Sequence, residues 1–216
     1  SAALDIRLVY PAAKDDPGSK VNTLVTITID IYKKTTEKKS AQLIFCDSFN
    51  HVNMSKLTNF VSGEEVQIDI EEDSESAVME DMFLYKDIKR KLISQGIPEH
   101  EIAIVKDYKS TAQREALFER VNRGQVRILI GSTAAMGIGV NVQKKLYAIH
   151  HLDTPWLPAD LEQRQGRLLR YGNENESVEE LAYGMENTLD AAIYAKIVRK
   201  AKFIWQVLSG QVSSRE

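Results

Sequence analysis

Four short, largely apolar runs, at 42–46, 101–105, 126–130 and 146–151, alternate along this chain with stretches whose apolar residues recur at helical spacing. Runs of this length without a polar alternation suit strands buried on both faces. A fifth strand is expected at 178–183. The helical stretches fall between them. One spans 79–95, with Met82, Phe83, Tyr85, Ile88, Leu92 and Ile93 as its apolar stripe and Gly96 as its stop. Another spans 111–122 and stops at Gly124, and a third opens on Pro158 and runs to about 171. Strands that alternate with helices close into a parallel sheet covered on both faces. The expected fold class is therefore α/β.

The remaining chain divides around this unit. Residues 1–19 read as an extended lead-in interrupted by Pro11, Pro17 and Gly18. The next stretch is ambiguous: Val25, Ile27, Ile29 and Ile31 alternate as in a strand, whereas Val21, Leu24, Val25, Ile31 and Tyr32 share a helix face. Ser19 as a cap and the lysines Lys33, Lys34, Lys38 and Lys39 at the far end favour helix. The body of the domain is placed at 20–187, with an acidic insert at about 50–80 built around a brief strand at 66–70. Residues 188–216 form a C-terminal helix, capped by Thr188, and a tail.

Charge is uneven. The formal net charge is −3, but residues 64–81 hold nine of the 31 acidic side chains and no basic one. The rest carries 28 Lys and Arg against 22 Asp and Glu, so it can meet phosphate locally. The acidic stretch reads as a solvated loop or as a mimic of nucleic acid. The basic residues of the last helix either touch DNA or simply face solvent. One cysteine, Cys46, excludes an internal disulfide and reads as a small buried hydrophobe. No apolar run is long enough to span a bilayer and no signal peptide is evident, so a cytoplasmic location is expected. His150 and His151 lack further ligands at metal spacing; strand alternation puts one in the core and one outside.

Two segments carry chemistry. Immediately after the 126–130 strand comes Gly131-Ser132-Thr133-Ala134-Ala135-Met136-Gly137-Ile138-Gly139-Val140-Asn141. Glycines and hydroxyls past a parallel strand lie where such sheets bind ligands, although a tight strand-to-helix turn needs the same residues. Later comes Gln163-Arg164-Gln165-Gly166-Arg167-Leu168-Leu169-Arg170-Tyr171-Gly172-Asn173. Gln163, Arg167 and Arg170 share one helix face, and Gly166 is costly inside a helix unless another backbone or a ligand must approach. Two guanidiniums on one face clamp phosphate or stabilise charge in phosphoryl transfer; a solvated basic face is the plainer alternative.

In this order the two segments resemble motifs V and VI of superfamily-two helicases, in the variant of Swi/Snf-type DNA translocases. Leu152-Asp153-Thr154-Pro155-Trp156-Leu157-Pro158 is similar to the segment that joins those motifs, and Gln42-Leu43-Ile44-Phe45-Cys46-Asp47 to the motif IV strand. A narrower resemblance is to the helicase halves of phage- and plasmid-borne proteins that join a helicase to an adenine-specific DNA methyltransferase. It rests on Leu4 to Leu8, Asp15 to Asn22, Ile130 to Gln143 and His150 to Trp156, and it makes the ambiguous 21–34 stretch a helix. Met136 and Asn173 depart from the Swi/Snf pattern and fit the narrower one.

The resemblance implies a RecA-like three-layer α/β/α lobe, the second of two. Arg170 would be the arginine finger on the γ-phosphate, with Arg167 and Gln163 beside it. Gly137, Gly139 and Asn141 would line the nucleotide cleft, and Ser132, Thr133 and Ser48 would contact the nucleic-acid backbone. ATP and Mg²⁺ would be held mainly by a first lobe, because no Gly-x-x-x-x-Gly-Lys-Ser/Thr loop occurs here. The implied partners are DNA, that first lobe and a methyltransferase domain of the same protein. Two rivals stand beside this reading. One is a non-catalytic nucleic-acid or protein binding module; the other is a nucleotide-sugar transferase lobe, which leaves Gln163, Arg167 and Arg170 unexplained.

Overall fold

The computed structural model describes residues 7, 12–47, 75–137, 141–153, 161, 164–166, 172–184, 195–196 and 198–200. The first element is a helix, α1 (Lys20–Lys34), so the ambiguous stretch resolves against the strand reading. The local cause is visible at both ends. Ser19 Oγ accepts the Asn22 N–H at 3.2 Å, and Lys33 and Lys34 stand in the last turn. Val21, Leu24, Val25, Thr28 and Ile29 are buried, the i, i+3, i+4, i+7, i+8 spacing of one helix face, whereas a strand would turn Leu24 and Thr28 away from the other three.

The end of α1 is fastened by a buried cation. Arg127, 2% exposed, donates to the Tyr32 carbonyl at 2.8 Å, the Thr35 hydroxyl at 3.0 Å and the Ser40 carbonyl at 3.2 Å. Its guanidinium lies 3.8 Å from the centre of the Tyr32 ring. A cation at a helix C-terminus satisfies carbonyls that have no partner within the helix. Burial pulls the pKa of this arginine down, against the opposing pull of Tyr32 and Glu101.

Strands β1 (Ala41–Phe45), β2 (Ile102–Ile104), β3 (Ile128–Gly131), β4 (Leu146–His151) and β5 (Glu179–Ala182) form one sheet in the order β2-β3-β1-β4-β5, with every pairing parallel. The layers follow from alternation along the strands. Ile44, Ile102, Ile104, Ile128 and Ile130 pack with α1 and with α2 (Glu75–Ser94). Leu43, Phe45, Ala103, Leu129 and Ile149 pack on the other face with α3 (Thr111–Asn122) and α4 (Thr133–Gly137). The result is the three-layer α/β/α arrangement.

Boundaries were set by local chemistry. Gly96, at φ 97°, ends α2, donating to the Ile93 carbonyl at 2.9 Å while Ile97 N–H reaches Leu92 at 3.2 Å. The Ser110 hydroxyl and the Gln113 side chain cap α3 reciprocally. Gly124, at φ 72°, lets the chain turn into β3 where a Cβ would stand 2.8 Å from that of Lys39.

Three expectations change. Helix α2 begins at Glu75, four residues before the expected start, inside the stretch assigned to the insert. The rest of the insert, with its strand at 66–70, lies outside the described residues. Within α2, Phe83 is 47% exposed and Leu84 takes the core position, because the buried face runs through Leu84, Tyr85, Ile88 and Leu92. Finally, His150 and His151 are both buried. Their side chains do alternate, but both faces of β4 are covered, so neither direction leads to water. Most of the C-terminal helix also lies outside the described residues; 195–196 and 198–200 are helical.

Candidate functional site

All strands being parallel, their carboxyl ends share one edge, and three of them run into a polar cluster there. Asp47 follows β1 and Cys46, Ser132 and Thr133 follow β3, and Asp153 follows β4 and Leu152. The segments are stitched directly. Leu152 N–H donates to Phe45 O at 3.0 Å, Asp47 N–H to Asp153 Oδ2 at 2.8 Å and Thr133 N–H to Asp47 Oδ1 at 2.6 Å.

Arg164 stands at the centre. Its side chain is fully buried, and every guanidinium nitrogen is engaged. Nε donates to Thr133 Oγ1 at 2.8 Å, and Nη1 donates to the Asp153 carbonyl at 3.3 Å and faces His151 Nδ1 at 3.2 Å. Nη2 donates to Asp47 Oδ2 and, at 3.5 Å, to Asp153 Oδ1. The guanidinium carbon lies 5.1 Å from the Phe45 ring centre, and that ring stacks on His151. A planar five-donor fork suits such a many-sided site, where an ammonium would leave acceptors unmet.

The electrostatics follow from one buried cation facing two carboxylates. Burial works against the Arg164 charge, but Asp153 and Asp47 outweigh it and hold its pKa above the ordinary value. Burial pushes the Asp153 carboxyl up, with Arg164 opposing and Asp47 adding to the rise. Burial also pulls His151 down, and the Arg164 charge reinforces this against the bond to Glu180. The partners fix the tautomer of His151. Glu180 Oε1, at 3.0 Å, must accept from Nε2, so Nδ1 is the lone pair that Arg164 reaches. The bond to His151 holds the Glu180 carboxyl below its usual range, and Gln165 Nε2 donates to the same carboxylate at 2.9 Å.

On the opposite face of β4, His150 lies between Gln42 Oε1 at 2.9 Å and the Tyr183 hydroxyl at 2.7 Å. Gln42 is oriented by donating to Thr28 O at 3.0 Å, so His150 donates from Nε2 and accepts from tyrosine. Burial, with His151 next to it, pulls its pKa down to about 3.

The residues singled out from sequence are distributed unevenly. Thr133 is at the cluster, but its hydroxyl is turned inward to Asp47 and Arg164 and the side chain is buried. Ser132 Oγ accepts the Ala135 N–H at 3.2 Å and so caps α4, which ends at Gly137. Asn141 is not brought to the cluster. Its carbonyl accepts from Asn122 at 2.6 Å, at the end of α3, because the chain there is returning to the amino edge to enter β4. Ser48, Gly139, Gln163, Arg167 and Arg170 lie outside the described residues. Arg164, Asp47, Asp153, His151 and Glu180 were missed. Leu161 and Arg164 stand three apart with Leu161 buried, so the arginine shares the inward face of its segment. Two acids each following an apolar strand were the complementary signal.

The glycines separate by cause. A Cβ on Gly131 would meet Met136 and Val105 at 3.2 and 3.3 Å, so that glycine serves the packing of the lobe itself. Gly166 is helical and exposed, and among the described residues nothing lies within 4 Å of where its Cβ would stand.

The helicase conserved C-terminal domain family matches residues 19–172, well over half of the chain and including Asp47, Thr133, His151, Asp153 and Arg164. The chain belongs to this family. It is a helicase C-terminal domain with the three-layer RecA-like fold. Solved structures share the fold at low identity. The C-terminal part of the Fun30 ATPase domain has a TM-score of 0.54 at 15% identity, with 90% of this chain and 53% of that chain covered. The helicase MrfA bound to DNA gives 0.52 at 14%, covering 87% and 21%. The E. coli DEAD-box protein SrmB, bound to a regulator of ribonuclease activity, gives 0.52 at 14%, covering 86% and 81%. A curated relative, the defense against restriction protein B of Escherichia phage P1, is 33% identical over 93 residues, 43% of this chain. The chain spans 4% of that phage protein and about half of the Fun30 chain.

Proposed function

We propose that this chain is the second motor lobe of an ATP-dependent DNA helicase or translocase, with Arg170 as its arginine finger. The observation that carries the reading is the convergence at the carboxyl edge. The start of α4 at Thr133 and the segment Arg164–Gly166 are tied together by the Arg164 guanidinium. One residue from each of the segments that resemble motifs V and VI, Thr133 and Arg164, therefore meets the other at this edge of the sheet.

On this reading Arg167 and Arg170 face a nucleotide held mainly, with Mg²⁺, by a first lobe elsewhere in the full protein. Gly166 fits such a neighbour, because its outward side is clear of the lobe's own atoms among the described residues. The nucleotide supplies a phosphoanhydride whose hydrolysis drives movement along DNA. What the lobe contributes is fixed positive charge where negative charge accumulates during phosphoryl transfer. Ser132 and Ser48 are the hydroxyls proposed for the nucleic-acid backbone. Thr133, turned inward, holds its loop in place. The matched phage relative supports a larger, phage-type protein, and a methyltransferase domain in the same polypeptide is part of the proposal. A cytoplasmic location accompanies it; among the described residues no helix is long and apolar enough to cross a membrane.

The test is ATP turnover by the full-length protein with and without a DNA duplex. Stimulation by DNA is the expected result. Turnover that ignores DNA would favour a binding module instead.

A further inference from the structure

We propose that the amino edge of the sheet, the end away from the polar cluster, is a separate nucleic-acid surface that holds phosphate backbone without reading sequence. Because the strands are parallel, the turns that enter β3, β1 and β4 stand side by side at that edge. Each brings cations: Arg123 before β3, Lys38 and Lys39 before β1, Lys144 and Lys145 before β4. The turns touch one another. Ala41 N–H donates to the Lys145 carbonyl at 2.7 Å, and Lys145 Nζ to the Lys38 carbonyl at 3.1 Å. A Cβ on Gly124 would stand 2.8 Å from the Lys39 Cβ and 3.3 Å from Lys145 Cδ, so glycine lets the β3 turn close on the other two.

The fold itself does not consume these charges. Lys145 pairs with Glu174 at 3.0 Å, and Arg123 with Glu119 at 2.9 Å, the latter where both side chains are about two-thirds exposed and water screens the pair. Lys38, Lys39 and Lys144 are exposed and pair with no carboxylate among the described residues. Lys39 is held at φ 48°, the only positive φ of a non-glycine residue among those described. That conformation favours glycine or asparagine, so lysine stands there against the preference of the backbone.

Such a row fits phosphate. The other exposed residues of these turns are Thr36, Glu37 and Gln125, none of them apolar or aromatic. A protein partner needs an apolar centre, and lysine is depleted from such interfaces, whereas lysines on a polar surface hold a nucleic-acid backbone. Strand β4, six residues at about 3.3 Å each, sets this edge about 20 Å from the polar cluster. The surface is thus distinct from that cluster, and its use does not depend on Arg170.

Lysine acylation of the full-length protein, read residue by residue by mass spectrometry, tests this with a mixed-sequence DNA duplex. Duplex should protect Lys38, Lys39 and Lys144, while Lys86, exposed midway along α2, keeps its rate. The duplex concentration that half-protects them should rise about fortyfold between about 50 and 200 mM salt, the dependence of three phosphate contacts. In Lys39→Gly that rise should drop to about twelvefold, the dependence of two contacts. Glycine suits the turn, so a weakened fold does not account for such a change. Unchanged rates for the three lysines at the highest duplex concentration overturn the proposal. Stronger protection by polyglutamate than by duplex also overturns it, by marking an acidic protein as the partner. Protection in a protein whose ATP turnover ignores DNA supports the surface and overturns the motor-lobe reading alone.

Discussion

At the scale of single residues, Gly166 and Arg164 show opposite uses of an unusual choice. Gly166 stands in a helical segment, where glycine costs about 1 kcal/mol against alanine, yet no described atom crowds its open side. The lobe alone would be better served by alanine. Gly166→Ala should therefore raise the thermal stability of the chain by about that amount while lowering DNA-stimulated turnover of the full protein at least about tenfold, because a 1 Å displacement in a closing site is that costly. Calorimetry and turnover on the same variant check it; a variant both more stable and fully active would remove the argument for a close-approaching ligand. Arg164 is the reverse case, a residue the lobe's interior requires. It was legible only through its inward position beside Leu161, and the arginines that follow it, Arg167 and Arg170, carried the motif instead.

At the scale of elements, periodicity and caps were enough where one face of a segment meets the core. Strand β4 and helix α3 have the expected bounds, and α1 follows from Ser19 and its lysine-rich end. Pattern failed where a choice depended on a neighbour. Phe83 and Leu84 are equally apolar, and only the position of the sheet decides between them. His150 and His151 alternate as expected, but which faces are covered is a property of the layers. Arg127 was not singled out at all, although it anchors the end of α1. Replacing it by methionine should cost about 2–4 kcal/mol, since the Ser40 carbonyl and the Thr35 hydroxyl lose the Arg127 donor and the Tyr32 carbonyl is left with that of Thr36. Urea unfolding measures the loss, and amide exchange should show it concentrated in the last turn of α1. Uniform exchange throughout the helix would contradict the anchoring role.

At the scale of the whole molecule, the sheet turns a set of distant sequence segments into one carboxyl-edge site, and the same burial makes the fold sensitive to acid. His150 and His151 are neutral in the folded state with pKa values pulled below the ordinary 6.5, His150 to about 3. Unfolded histidines take up protons first, so the stability they contribute is full above pH 6.5 and falls as the pH drops below it. Each group contributes up to about 1.4 kcal/mol per pH unit. The Asp153 carboxyl, pushed up by burial, works the other way over this range, so the histidine part is read from wild type against His150→Gln, whose difference in urea midpoint should shrink between about pH 6.5 and 5.5. A difference that stays constant over that interval would mean that His150 is not held neutral. The site was legible in outline, because motif order and family resemblance need no coordinates. The buried network was not, since its members come from 47, 133, 151, 153, 164 and 180, and only the parallel order of the strands brings them together. The central claim concerns Arg170, and kinetics of the full-length protein tests it most directly. Arg170→Ala should lower kcat for DNA-stimulated ATP hydrolysis about a thousandfold, with much less effect on the KM for ATP. Robust turnover with an unchanged kcat would contradict the assignment of Arg170 as the finger.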